Sequence, residues 1–302
     1  MLSLLGWKVA MEEKKRKEFN RKFVSLGVQI DFNFSEEGKI VVENKEGRVD
    51  VLWTTIKDIR DKGWLGFKEA LSVRGKMGYA EGQLFSRVAA PACRILSRWA
   101  KDGRRKKVTE ELLYALAAGL YALQTGGPRV VIPAKDEQPV LLFSDGACEP
   151  DGTTIGAVIF VPGLKPELFG AVMAQSTIDL WKTKLDQTQV IGQAELFPLL
   201  IARLTWKKYI SNRRMICFID NDSARLGLIK AYSPVLPSLD IISRCLGWDH
   251  ANNCSSWLTR VPSDSNIADA PSRMDPRYLV DRHGARIVKP IALDNHSFTD
   301  VL

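Results

Sequence analysis

Histidine, paired cysteines and long apolar runs are what this sequence has little of. Its three histidines, His250, His283 and His296, stand far apart in 302 residues. A His-based metal cluster or a Ser-His-Asp triad therefore has little material. The cysteines are Cys93, Cys148, Cys217, Cys245 and Cys254, an odd number with no CxxC pair. Neither a disulfide framework nor a zinc site is expected, and a reducing interior is the simplest home. No run of about 18 apolar residues occurs, so neither a transmembrane helix nor a membrane partner is expected. The stretch MLSLLGWKVAMEEKKRKEF puts its apolar residues before its charges, the reverse of a signal peptide. An intracellular site follows, cytoplasm and nucleus being equally compatible.

Surplus charge is missing from one part of the chain. Residues 1–126 hold 24 Lys+Arg against 16 Asp+Glu, and residues 127–302 hold 19 against 19. All of the net +8 thus lies in the first part. A basic module joined to a neutral one with clustered acids suggests polyanion binding that feeds a metal site. The plain alternative is a solvated basic surface.

What is present is a set of four acids in distinctive settings. They are Asp145 in PVLLFSDGACEPDG, Glu195 in GQAELFPLL, Asp220 in RMICFIDNDSARLGL and Asp269 in SNIADAPSR. Asp145 and Asp220 end apolar runs that read as buried strands. A carboxylate there is expensive unless a cation compensates it. Four acids gathered on a sheet and its helices make a hard, oxygen-only site suited to Mg²⁺ or Mn²⁺, which points to phosphodiester chemistry. Each acid alone has a plainer reading. Asp145 can form a turn, Glu195 can favour a helix dipole, Asp220 can belong to an Asx turn, and Asp269 can cap a helix.

The pattern along the chain places these acids. Residues 1–52 read as short elements: LLGWKVA, VSLGVQIDF and GKIVVEN are strand-like around a charged stretch. Val49 to Leu123 reads as helical, with GRRKK an exposed basic turn. GGPRVVIPAKDEQP, residues 126–139, is the best linker candidate. PVLLFSDGA, TIGAVIFVPG and ELFGAVMAQS then predict a three-strand antiparallel meander. Helices and strands alternate after it, giving the order βββαβαβα and a mixed sheet with helices on its faces. If the first and fourth strands of this part are adjacent and parallel, Asp145 and Asp220 lie side by side, strands being about 4.8 Å apart. Residues 276–302 read as an irregular tail.

The stretches FSDGA with GAVIF, GQAELFPLL, CFIDNDSARLGLIKAYS and WLTRVPSDSNIADAPSR resemble the ribonuclease H domain of retroelement reverse transcriptases, over residues 140–275. That resemblance implies a mixed five-stranded sheet with flanking helices. It implies metal-binding and catalytic roles for Asp145, Glu195, Asp220 and Asp269, with Asp145 bridging two Mg²⁺ ions, Mn²⁺ able to substitute. The substrate it implies is an RNA–DNA hybrid whose RNA strand is hydrolysed. Many members have a His in the loop before the last acid. Here that loop is VPSDSN, with Ser263 and Asp264 instead.

Residues 1–126 resemble the end of a reverse transcriptase palm followed by a mostly helical thumb/connection-like unit, most like DIRS-type elements. The carriers are LLGWKVAMEEKKRKEFNRKFVSLGVQIDF and SVRGKMGYAEGQLFSR. The YxDD-type motif is missing, so this chain is not expected to polymerise DNA. The remaining polymerase part of a reverse transcriptase is an implied partner, and a fragment, a truncated copy or a gene model that begins late are the origins it leaves open. The expected domains are therefore 1–126, a linker at 127–139, the ribonuclease H-like domain at 140–275 and the tail at 276–302. Two basic clusters, Lys14, Lys15, Arg16, Lys17 and Arg104, Arg105, Lys106, Lys107, become candidate phosphate contacts. Trp181, in polar DLWKTKLDQ, is the tryptophan expected to meet substrate. Two other readings use the same residues: a catalytically silent remnant that only binds nucleic acid, and an exonuclease or transposase-type enzyme on the same fold. Four intact acids argue against the first, and the retroelement-like flanks against the second.

Overall fold

The computed structural model describes residues 20–101, 103–132, 137–150, 152–185 and 189–292. Lys14, Lys15, Arg16 and Lys17 lie outside the described residues.

The N-terminal unit contains strands β1 (Lys22–Ser25), β2 (Val28–Asp31) and β3 (Ile40–Asn44), then α1 (Arg48–Lys62), β4 (Trp64–Leu65), α2 (Phe67–Gly82), α3 (Ala90–Lys101), β5 (Lys106–Lys107), α4 (Glu110–Thr125) and β6 (Arg129–Val131). The single strand read in VSLGVQIDF is a hairpin, turned at Leu26 and Gly27, both with positive φ. The long helical pattern after residue 67 is two helices, because the chain turns at residues 83–89 with Phe85 left-handed. Part of the expected linker is built in: β6 pairs antiparallel with β3 and closes a four-stranded sheet.

The C-terminal unit runs β7 (Val140–Glu149), β8 (Gly152–Phe160), β9 (Glu167–Val172), α5 (Gln175–Leu185), α6 (Ile191–Thr205), α7 (Lys207–Ile210), β10 (Arg214–Ile219), α8 (Asp222–Lys230), α9 (Leu236–Ala251), β11 (Ser255–Arg260), α10 (Asp269–Ser272), α11 (Arg277–His283) and β12 (Arg286–Ile287). The expected meander is β7–β8–β9. The sheet order is β11-β10-β7-β8-β9-β12, with β10 parallel to both β7 and β11. It is a mixed α/β sheet with flanking helices, as expected, but it has six strands. The sixth is β12, which pairs parallel with β9. The irregular tail is corrected accordingly over 277–287, where α11 buries Leu279 on the sheet beside Val158 and Leu168. Arg286 donates to the buried Glu167, which also accepts from Trp206 at 2.9 Å.

Burial alternates along the central strands, as a sheet covered more fully on one face requires. Leu142, Met215 and Cys217 are fully buried beneath α6, while Leu141, Phe143, Ile216 and Phe218 are half-buried on the other face. On that other face the rings of Phe143 and Phe218 stack 4.4 Å apart.

Three glycines set how closely helices approach this sheet. Gly146 on β7 faces α6, where a Cβ would stand 2.2 Å from the Ala194 carbonyl oxygen. Gly156 and Gly170 are register partners on β8 and β9, and a Cβ on either would meet the backbone of Pro271 or Ser272 at 2.2–2.3 Å. Asp145 is the register partner of Gly156. The short helix α10 therefore lies directly on a glycine floor next to Asp145. We predict that Gly156→Ala lowers folding stability by about 1–3 kcal/mol through overpacking. Urea denaturation checks this, and an unchanged midpoint would mean that α10 does not sit where described.

Candidate metal centre

Asp145, Glu195 and Asp220 converge. One carboxylate oxygen from each lies within 4.8 Å of the others. The register explains two of them: Phe218 pairs with Phe143, and two residues further along each strand come Asp220 and Asp145. Glu195 arrives on α6, whose backbone Gly146 admits. Asp145 and Glu195 are buried, and Asp220 is half-buried.

Each of the two buried carboxylates is steered by a neutral donor. The Ser272 hydroxyl donates to Asp145 Oδ2. Asn221 donates to Glu195 Oε1 at 3.3 Å, while its own amide oxygen caps α8 by accepting from the Ala224 N–H at 3.0 Å. Asn266 ties the following loop to the Ser144 carbonyl at 3.2 Å. That loop carries the 3-10 turn Ser263–Ser265 where many relatives of the expected family have a His. Sequence reasoning missed Ser272, Asn221 and Asn266. The only signal was their closeness to the acids in APSR, DND and SNIAD.

Two buried oxygens, Glu195 Oε2 and Asp220 Oδ1, have no hydrogen-bond partner among the described residues. Burial, with Asp220 and Asp269 nearby, raises the Asp145 carboxyl to about 6 despite Ser272. Burial, then repulsion from Asp145 and Asp220, raises Glu195 to about 8. No cationic side chain pairs with the three acids among the described residues. Orphaned oxygens, mutual repulsion and an all-oxygen donor set fit a hard divalent cation.

Asp269 stands at the rim. It begins α10 as expected, but its carboxylate accepts from Arg273 Nε at 2.8 Å and is about half-exposed. It is close enough to influence Asp145 but is not in the three-acid cluster. Asp222, also at a helix start, turns outward to Arg225.

Trp181 is corrected. It is 5% exposed, and its ring stands edge-on to Phe197 at 5.3 Å. Helical spacing places it with buried Ile178 on the inner face of α5, so it is a core residue. The open tryptophans among the described residues are Trp64 and Trp257, 46% and 71% exposed. Trp64 pairs with Lys107 in the β4–β5 ribbon, and Arg105 lies over its ring at 5.7 Å. Arg104, Arg105 and Lys107 are exposed and Lys106 half-buried. A groove of about 560 Å³ is lined by Gln193, Ser223, Lys230 and, from the N-terminal unit, Arg98; none of the acids lines it. Among the described residues no helix is long and apolar enough to cross a membrane.

The sequence matches no protein-family model and no curated protein. Many solved structures are similar, two of which follow. One is the RNase H1 of the halophilic archaeon Halobacterium salinarum, 18% identical, covering 45% of this chain and 96% of that one, TM-score 0.33. The other is the N-terminal RNase H domain of a Mycobacterium tuberculosis protein, solved as a fusion with maltose-binding protein. It is 14% identical and covers 47% and 96%, TM-score 0.35.

The raised carboxyls have a thermodynamic consequence. Both groups bind protons more tightly folded than unfolded, so metal-free stability falls as pH rises. The window runs from the ordinary values of 3.8 and 4.5 to the folded values of about 6 and about 8. We predict that Glu195→Gln flattens this decline and that Mg²⁺ restores stability in the wild type at about pH 8. Urea midpoints measured across that range test it. A wild-type decline no steeper than that of Glu195→Gln would contradict the cluster as described.

Proposed function

We propose that the chain is a metal-dependent endonuclease of the ribonuclease H type, hydrolysing the RNA strand of RNA–DNA hybrids. The reading rests on one observation: three carboxylates within 4.8 Å, two of them buried and none paired with a cation among the described residues. Asp145, Glu195 and Asp220 would hold divalent ions, Mg²⁺ or Mn²⁺, two in the proposed active form. Asp269 would join from the rim. Held by these residues, divalent ions would supply water activation and charge neutralisation at the leaving oxygen.

The chain's own residues do the positioning. Ser272 fixes one oxygen of Asp145, and Asn221 fixes one of Glu195, so their other oxygens face the cluster. Arg273 holds Asp269 ready beside it. The groove toward Arg98 and Lys230 offers cationic walls for a phosphate backbone. The ribbon Arg104–Lys107 extends that charge on the N-terminal unit, giving salt-sensitive contacts that do not depend on sequence. Selectivity for RNA would come from 2′-OH contacts in the minor groove. The proposal includes an origin in a DIRS-type reverse transcriptase, whose polymerase aspartate pair has no counterpart in this sequence. A silent binding module is the second reading, and the intact cluster speaks against it.

Cleavage of an end-labelled hybrid with Mg²⁺, beside single-stranded and double-stranded RNA, tests the proposal. Hybrid-specific cutting should vanish with EDTA and in Asp145→Asn. Ser272→Ala should cost about 10–100-fold, as expected for a residue orienting a metal ligand. Salt-dependent binding without any cutting would instead favour the silent module. Replacing Arg104 and Arg105 by Gln should weaken hybrid binding evenly across sequences. The salt slope should fall by about 0.7–0.9 for each phosphate no longer neutralised. An unchanged slope would remove the ribbon from the interface.

A further inference from the structure

A second, partly open site lies in the seam between the two units, away from the acids. Its cavity of about 200 Å³ is bounded by the turn after α2, the start of β6, the end of α9 and the start of β11. The acids stand at and beyond the far end of β10, which runs parallel to β11. Six residues at about 3.3 Å each put roughly 20 Å between them. The cavity is smaller than the pockets of about 300–1,000 Å³ that take drug-sized ligands, so it suits a single small group.

Three arginines reach it. Arg203 is already matched, with Nε and Nη2 on the two oxygens of Asp249 at 2.8 and 3.2 Å. The other two are not. Arg87 uses Nη2 on the carbonyls of Leu228, at 3.1 Å, and Ile229. Arg129 uses Nη2 on the Ser255 hydroxyl at 3.0 Å. Among the described residues, neither guanidinium's remaining nitrogens make a hydrogen bond. The carboxylates that oppose them are Asp249, which already serves Arg203 and Ser256, and Glu81, which accepts from the Ala89 N–H at 2.7 Å.

His250 supplies the decisive feature. It is 5% exposed, lines the cavity, and among the described residues neither ring nitrogen has a partner. Its Cδ2–Nε2 edge is packed against Gly126, where a Cβ would come within 2.2 Å. A buried imidazole without partners is costly unless something supplies them. Two guanidiniums with spare donors, Arg129 half-buried and Arg87 open to solvent, and a buried imidazole with one N–H can converge on one acceptor. Three donors from different elements match a tetrahedral oxyanion better than a planar carboxylate.

We propose that this cavity binds a phosphate group, held by Arg87, Arg129 and His250 across the seam. The proposal is independent of the metal centre. The phosphate can belong to a free phosphate or nucleotide, or to a nucleic-acid backbone entering by the adjoining cleft, which shares Phe85, Arg129 and Ser255 with the cavity.

Calorimetric titration of the full, metal-free chain with inorganic phosphate tests it. One saturable site is expected. Arg87→Gln and Arg129→Gln should each weaken it about tenfold or more, the usual loss for a hydrogen bond to a charged group. Arg129→Lys keeps the charge and should retain part of the binding, which separates a binding defect from misfolding. With three histidines in the chain, the ring signals of His250 are assignable by His250→Gln, and phosphate should shift them. Competition identifies the source. Displacement by hybrid duplex in an Arg129-dependent way would mark a backbone phosphate, and displacement by mononucleotide alone a free ligand. No saturable binding, or binding abolished by replacing Arg104 and Arg105 but unaffected by Arg87 and Arg129, overturns the proposal.

Discussion

Backbone lying on backbone at three glycines is the constraint on which the site depends. Gly146 lets α6 settle onto β7, and Gly156 with Gly170 lets α10 settle onto β8 and β9. Asp145 is bracketed by these contacts, its neighbour in sequence facing one helix and its register partner facing the other. A methyl at any of the three would meet helix backbone at 2.2–2.3 Å, so that backbone would have to move. The distances from Glu195 to Asp145 and from Ser272 to Asp145 are thus fixed by the absence of side chains.

Electrostatics then runs against the fold. Packing forces three acids together where water is scarce, and the protein answers with neutral donors, Ser272 and Asn221, in place of cations. Such donors orient a carboxylate without neutralising it, so the cluster keeps its appetite for a cation. The buried pair Arg203–Asp249 shows the contrasting solution in the same domain: there the charges are matched, and the result is structural. At the seam, Arg98 donates to Tyr232 at 2.6 Å and Tyr232 to Glu111 at 2.7 Å, while Tyr114 donates to Asp240. These bonds join the basic unit to the domain that carries the acids.

Much of this was legible in the sequence. The apolar run ending in Asp220 announces a strand end, and an acid in an apolar helix announces Glu195; Asp145, read as ending its strand, sits in the middle of β7, which pairs with β8 as far as Glu149. What stayed hidden was non-local. β6 finds β3 far back in the chain, so a Gly/Pro-rich stretch that reads as linker is part strand. β12 is two residues long, too short for any periodicity. Trp181 was hidden by polar neighbours that occupy the outer face of α5. Asp269 was legible as a helix start, but its ion pair with Arg273 became visible only in three dimensions.

Anomalous diffraction from crystals grown with Mn²⁺ bears most directly on the central claim. The account predicts metal density touching Asp145, Glu195 and Asp220, lost in Asp145→Asn. Crystals soaked in excess Mn²⁺ that show the three carboxylates intact and no metal between them would contradict it.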